Sequence, residues 1–221
     1  MKYFWMLVNR IFSVFHIYVV RSLVYTRIKR PFPVFDHDYI RIQTLELCAE
    51  EILRKNVKGH IAELGVYRGN FASKLNQLFP ERTLYLFDTF TGFDERDTLA
   101  EGKMNAPNGK QRFIDTSPDF VLRKMKKPKQ CIVKKGYFPE TISGINTFFA
   151  FVSIDVDLYR PTMLGLEYFY PRLSNGGYIF VHDFYNEEYK GVREAVNIFC
   201  RNNNISFVPL PDVSGTAIIT K

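Results

Sequence analysis

The sequence predicts an α/β domain: a mostly parallel seven-stranded sheet with helices on both faces, preceded by an N-terminal amphipathic helix. Three observations predict it. From residue 38 onward, short apolar runs alternate with stretches of helical spacing, the pattern of a parallel sheet covered on both sides. Seven strand runs stand out, at 60–65, 83–88, 131–136, 148–157, 178–183, 205–211 and 215–221. Several end on groups that bind protons or metals, and in such sheets ligands bind outside the carboxyl ends of the strands. The length, 221 residues and 25.9 kDa, suits one such domain with an appendage.

The front end is unlike the rest. Residues 1–35 hold Lys2, Arg10, Arg21, Arg27, Lys29 and Arg30 and no acid, so this segment carries +6 of the net +7. Its longest uncharged stretch is too short for a bilayer span, which needs about 20 apolar residues, and no small-residue cleavage site follows it. Wound as a helix, Lys2, Asn9, Arg10, Ser13, His16 and Arg21 fall within one arc of roughly 140°. Trp5, Phe12, Phe15 and their apolar neighbours fill the other side. A basic amphipathic helix of this kind suits peripheral contact of residues 1–25 with a membrane surface. The alternative is packing on the domain or on a second subunit, giving a homo-oligomer. KRPFPVFDHD, 29–38, breaks the helix with two prolines and serves as a linker, so the domains are expected at 1–35 and 36–221.

Behind the linker, residues 38–56 have helical spacing through Ile40, Ile42, Leu45, Leu47, Ala49 and Ile52. Helices are also predicted at 70–79, 117–127, 161–173 and 191–202. The second of these begins at an N-cap serine with Pro118 in the first turn, and SNGG closes the third. Strands 205–211 and 215–221 read as a hairpin at one sheet edge. Residues 89–116 form a polar, glycine-containing excursion, longer than most connections, and are expected to order as a lid over the cofactor or acceptor, the alternative being a mere insertion; hydrogen exchange there that ignored a bound cofactor would count against the lid. Three cysteines without CxxC spacing argue against a disulfide framework and fit a reducing, cytoplasmic compartment. Arg123, Lys124, Lys126, Lys127, Lys129, Lys134 and Lys135 form a basic run, read either as a solvated face or as a contact for phosphates of a nucleotide- or lipid-linked sugar. No nucleic-acid partner is expected, because the domain is almost neutral and has no recognised binding motif.

The strand ends carry the chemistry. In AELGVYRGN, Glu63 ends a strand, Gly65 makes the turn, and Gly69 precedes a helix whose N-terminus favours an anionic group. The glycines are four apart with bulky Tyr67 between them, which argues against a dinucleotide pyrophosphate cradle and for a shorter ligand with one carboxylate. Asp88, in YLFDTFTGF, stands where a carboxylate accepts ribose hydroxyls in this fold class. The pair suggests S-adenosylmethionine. Asp155 and Asp157 end the strand of VSIDVDLYR, on one side of it if the chain stays extended. His182 and Asp183 end the strand of GGYIFVHDF and can converge only if the backbone turns there. Two carboxylates and an imidazole can hold a divalent ion; the alternative is that His182 caps or hydrogen-bonds the loop and Asp183 caps the next element.

AELGVYRGNFA, YLFDTFTGF, VKKGYFPET, SIDVDLYRPT, YPRLSNGGYIFVHDF and GVREAV occur in that order, and over about 41–202 the chain resembles the macrocin O-methyltransferase family, which includes mycinamicin-type sugar O-methyltransferases. The resemblance implies a Rossmann-like fold and an S-adenosylmethionine-dependent O-methyltransferase acting on the hydroxyl of a sugar-containing acceptor. It also implies a divalent metal, usually magnesium, on Asp155, His182 and Asp183. Glu63, Gly65, Tyr67 and Gly69 would hold the methionine part, Asp88 and Thr89 the ribose, and Gly136 and Tyr137 would lie near the adenine. Characterised members carry Asp-Asp where this chain has His182-Asp183. Magnesium prefers oxygen donors, and an imidazole shifts the preference toward manganese, iron, nickel or zinc. The other reading is that no tight metal binds and that His182, with Asp155, is the catalytic pair, His182 acting as general base. A non-sugar hydroxyl as acceptor, or a degenerate fold kept as a membrane-associated scaffold, would leave the same binding motifs.

Overall fold

The structure is a computed structural model that describes residues 10–11, 38–101 and 112–221. The chain divides into two compact units, Met1–Asp36 and His37–Lys221. Of the predicted front helix only Arg10 and Ile11 are described, and both are helical; the rest of that segment, the linker before Asp38, and 102–111 of the excursion lie outside the described residues. Among the described residues no helix is long and apolar enough to cross a membrane, and the three cysteines are unpaired thiols.

The second unit runs α1 (Tyr39–Arg54), β1 (His60–Leu64), α2 (Asn70–Leu78), β2 (Leu84–Asp88), α3 (Glu95–Glu101), α4 (Pro118–Leu122), β3 (Cys131–Lys135), β4 (Phe149–Ile154), α5 (Tyr159–Phe169), β5 (Leu173–Val181), α6 (Lys190–Asn203), β6 (Phe207–Leu210) and β7 (Thr216–Thr220). The seven strands form one sheet in the order β3-β2-β1-β4-β5-β7-β6. The pairs from β3 to β5 are parallel; β7 enters antiparallel to β5 and pairs antiparallel with β6, the expected edge hairpin. The order reverses at β1 and β4, which places the crevice at their carboxyl ends.

The high aromatic content goes into the core. β4 is buried at every position, and Phe149 meets Phe169 of α5 at 5.1 Å between ring centroids while Phe151 meets Phe180 of β5 at 4.8 Å. Burying each such ring contributes on the order of 2–3 kcal/mol.

Four sequence expectations need correction. α4 starts as predicted, with Ser117 Oγ accepting from the Phe120 amide at 3.1 Å, but it ends at Leu122 rather than 127. The like-charged run that follows disfavours another helical turn, and Pro128 biases the residue before it toward extended backbone. Strand β4 stops at Ile154, and Asp157 turns to φ +63, so the chain is not extended there and Asp155 and Asp157 do not share one side of a strand. SNGG does not close α5; it lies inside β5, where the register slips between Phe149–Leu173 and Phe151–Tyr178. Ile40 and Leu47, placed on the apolar side of α1, are 39% and 43% exposed. The buried side of α1 is a stripe of Arg41, Leu45, Cys48 and Ile52 with Ile42 and Ala49 beside it.

Candidate functional site

The turn after β1 is built tightly. Gly65 has φ +85, and a Cβ there would overlap the backbone oxygen of Asp155. Its glycine is therefore required by the approach of β4 as much as by any ligand. The Gly65 amide donates to Phe87 O at 2.9 Å and the Asp155 amide to Leu64 O at 2.8 Å, tying the ends of β2, β1 and β4 together. Gly69, at φ +71, is the residue before α2.

Glu63 lies within β1 and is 1% exposed. Its Oε2 is buried and has no hydrogen-bond partner. Burial, reinforced by the Asp155 carboxylate, pushes its carboxyl well above the ordinary value. A buried acceptor left unpaired costs about 1–3 kcal/mol and points to a cationic or hydrogen-bonding ligand. We expect Glu63→Gln to raise the melting temperature of the ligand-free protein while weakening S-adenosylmethionine binding about tenfold, measured by thermal denaturation and calorimetric titration.

Asp88 closes β2. One carboxylate oxygen accepts from the Val66 and Tyr67 amides at 2.7 and 2.8 Å, and the other from the Phe90 amide at 2.7 Å. The second oxygen retains acceptor capacity for a ligand hydroxyl. Thr89 Oγ1 donates to Gly92 O at 2.6 Å, folding the strand exit back. Gly136, at φ +137, donates its amide to Asp88 O at 2.9 Å. Tyr137 donates its hydroxyl to Asp97 of α3 at 2.8 Å, and the Arg96 guanidinium lies 3.5 Å from its ring centroid.

The far end of the excursion is fastened to this turn. Tyr67 donates its hydroxyl to Asp115 at 2.7 Å, Arg68 pairs with Asp115, and Thr116 donates to Tyr67 O. Phe113 meets both Tyr67 and Phe93 edge-to-face, at 5.0 and 5.4 Å. Arg112 reaches across to Glu188 and the Tyr189 hydroxyl, each at 2.6 Å.

At the ends of β4 and β5 the predicted cluster assembles. Asp183 takes φ +60, and this turn allows two neighbouring side chains to converge. His182 Nδ1 lies 3.2 Å from Asp155 Oδ1 and 3.0 Å from Asp183 Oδ2. Asp183 Oδ1 accepts from Asn186 at 2.7 Å. Burial opposes a charged imidazole, but the two carboxylates outweigh it and push the His182 pKa up to about 10. Asp155 is pulled the other way: burial raises it, and the charges of His182 and Arg41 hold it well below the usual range. Burial and the nearby Asp183 and Asp155 carboxylates push Asp157 well above its ordinary value. A raised histidine pKa stabilises the fold fully below about pH 6.5 and loses that contribution as pH rises through about 10. The melting-temperature gap between wild type and His182→Gln is therefore expected to shrink between pH 6.5 and pH 10.

Sequence reasoning missed Arg41. It is 3% exposed, lies 4.0 Å over the Phe71 ring, and donates to Asp155 Oδ2 from both terminal nitrogens at 3.2 Å. Its signal was an arginine in register with Leu45, Cys48 and Ile52 on the apolar stripe of α1. Asp38 and Asp212 were missed too. Each offers an oxygen that lies with a His182 nitrogen in a second group within 4.8 Å, and nothing in their local sequence marks them.

A sheet that switches direction at β1 and β4, with a tight turn, a capped acidic strand end and an acid–imidazole cluster along one edge, defines a Rossmann-like methyltransferase fold. The chain belongs to the family described as Macrocin-O-methyltransferase (TylF), whose model matches residues 33–221. It is 29% identical over 171 residues to demethyldecarbamoylnovobiocin O-methyltransferase of Streptomyces niveus, covering 70% of this chain and 65% of that protein, so it spans just under two thirds of that relative's length. It is 29% identical over 192 residues to mycinamicin III 3''-O-methyltransferase of Micromonospora griseorubida, covering 79% and 74%. Among solved structures, the O-methyltransferase NovP superposes with a TM-score of 0.67 at 23% identity, covering 83% of this chain and 80% of that one. An O-methyltransferase from Bacillus cereus in complex with SAH superposes with a TM-score of 0.56 at 11% identity, covering 100% of both chains. These two likenesses support the fold.

Proposed function

We propose that the protein is an S-adenosylmethionine-dependent O-methyltransferase acting on a sugar hydroxyl of a glycan, glycolipid or glycosylated natural product. The observation that carries the reading is the convergence of Asp155, His182 and Asp183 within 4.8 Å at the strand ends that follow the Glu63–Gly69 turn. A further relative, 27% identical over 207 residues, is named 8-demethyl-8-(2,3-dimethoxy-alpha-L-rhamnosyl)-tetracenomycin-C 4'-O-methyltransferase of Streptomyces olivaceus, and its rhamnosyl acceptor supports the acceptor class.

In this reading Glu63 and the turn through Gly65, Tyr67 and Gly69 hold the methionine part, Asp88 and Thr89 the ribose, and Gly136 and Tyr137 border the adenine. The fastened excursion covers the cofactor. Asp155, through the Oδ1 that lies 3.2 Å from His182 Nδ1, takes the proton of the acceptor hydroxyl as its oxygen attacks the sulfonium methyl; the products are a methyl ether and a neutral thioether. His182, held as an imidazolium, orients Asp155 and is not the base in that state. A carboxylate held so far below the usual range is a weak base for a sugar hydroxyl.

That weakness is what a divalent ion would remedy, and the donors fit one. Separations of 3.0 and 3.2 Å around His182 Nδ1 match neighbouring ligands on one ion, with one nitrogen and two oxygens suiting manganese or a similar ion better than magnesium. Asp155, His182 and Asp183 would hold it, and when bound it would lower the pKa of the acceptor hydroxyl.

The deciding experiment is calorimetric titration of S-adenosylmethionine into metal-stripped protein, repeated with magnesium and with manganese. We expect binding in all three, tightest with manganese; no binding in any of them would sink the reading. We further propose that residues 1–25 bring the enzyme to an anionic membrane surface at the cytoplasmic face, supported by their charge and amphipathic spacing. Co-sedimentation with phosphatidylserine vesicles that is lost on deleting residues 1–25 is the expected result. A homo-oligomer held by that segment, seen by light scattering without sedimentation, is the competing outcome.

A further inference from the structure

Arg41 arrives at the cluster from α1, the helix before the turn after β1, where it pairs loosely with Asp38 at 3.7 Å and more closely with Asp155. Both terminal nitrogens donate to the same oxygen of Asp155, Oδ2, at 3.2 Å, and one also donates to Ser153 Oγ at 3.1 Å. The guanidinium is stacked 4.0 Å over Phe71 of α2 and is 3% exposed. A planar guanidinium held on an aromatic face and tied to two acceptors has lost its freedom before any ligand arrives. Asp155 is thereby divided: Oδ2 is given to Arg41, and Oδ1 alone points at His182 Nδ1, 3.2 Å away.

We propose that Arg41 is a positioning residue that presents Asp155 to the reaction through one oxygen and holds down the affinity of the site for divalent cations. The inference rests on the reading of Asp155, His182 and Asp183 as the reacting cluster. Two physical effects act in the same direction. With Oδ2 occupied, Asp155 can give a cation one ligand atom rather than two. The fixed positive charge one carboxylate away also repels any ion that enters, and at such distances the repulsion is strong even at an effective dielectric of about 20. A cation is therefore held loosely and exchanges, while Oδ1 stays beside His182 Nδ1, free of Arg41, to take the hydroxyl proton. Lysine cannot reproduce this, because an ammonium keeps the charge but not the two-pronged grip.

The test uses the full chain, with Arg41→Met and Arg41→Lys beside wild type, and reads manganese binding by electron paramagnetic resonance and S-adenosylmethionine binding by calorimetry. Circular dichroism and thermal melting establish that each variant folds. Arg41→Met is expected to bind manganese at least tenfold more tightly than wild type, with S-adenosylmethionine affinity unchanged within threefold. With an active acceptor, kcat falls at least tenfold and KM for the cofactor holds. Arg41→Lys, which keeps the charge but frees Oδ2, is expected to bind manganese with an affinity between those of wild type and Arg41→Met and to share the loss in kcat. If Arg41→Met binds manganese no more tightly than wild type, including the case in which neither binds it, the proposal is overturned. Should Arg41→Met fail to fold, Arg41→Lys decides through kcat, and an unchanged kcat overturns the proposal. Failure of the functional reading looks different: wild type and variants alike would ignore S-adenosylmethionine, while the manganese comparison would still give its answer.

Discussion

Asp155→Asn is expected to lower turnover about a thousandfold while leaving S-adenosylmethionine binding within a few-fold of wild type. The amide is nearly the same size, so the turn after β1 and the backbone bond from residue 155 to Leu64 survive. What goes is the charge that Arg41 and His182 share. A positioned general base typically contributes 10²–10⁴ in rate, and Asp155 lies 3.2 Å from both cations, Arg41 and His182. Weakening the buried Arg41 pair is expected to cost about 2 kcal/mol of stability, below the usual range for breaking a buried pair because the amide oxygen still accepts one bond and Asp38 stays 3.7 Å from the guanidinium. Single-turnover kinetics and chemical denaturation measure the two effects. A variant that kept wild-type turnover would remove Asp155 from the reaction.

The second large effect is a change of metal. His182→Asp replaces the nitrogen donor with an oxygen and converts the set into three carboxylates, the donor chemistry magnesium prefers. We expect magnesium affinity to rise at least tenfold and the manganese preference to narrow, read by metal titration monitored calorimetrically. The variant also exchanges a cation for an anion beside Asp155 and Asp183, so its melting temperature without metal should fall and should recover on adding magnesium. If magnesium binding is unchanged, the side chain at 182 is not a ligand.

Much of the fold was legible in the chain because each strand is a short apolar run closed by a turn residue, and such runs keep their character whatever packs on them. Ser117–Pro118 named a helix start for the same reason: a cap is a local device. The errors fell where tertiary contact overrides local preference. SNGG looks like a terminator, yet Gly177 leaves too little room for a Cβ between Ala150 O and Leu173, and the segment is absorbed into β5 as an irregular strand. The site divides along the same line. Asp155, His182 and Asp183 could be placed together because each ends a strand and strand ends share an edge. Arg41, Asp38 and Asp212 reach that edge from the first turn of a helix, the residue that precedes it and a hairpin loop, and their approach depends on how whole elements dock.

Gly65 has one further consequence. The backbone of the turn after β1 and the carbonyl of Asp155 occupy adjoining space with no room for a single carbon between them. The two halves of the site therefore cannot drift apart over generations: a side chain at 65 displaces the acid, and a shift of the acid closes the turn. Substitutions at the two positions should be strongly epistatic, the double variant losing far less than the product of the single losses, because either change alone already breaks the same part.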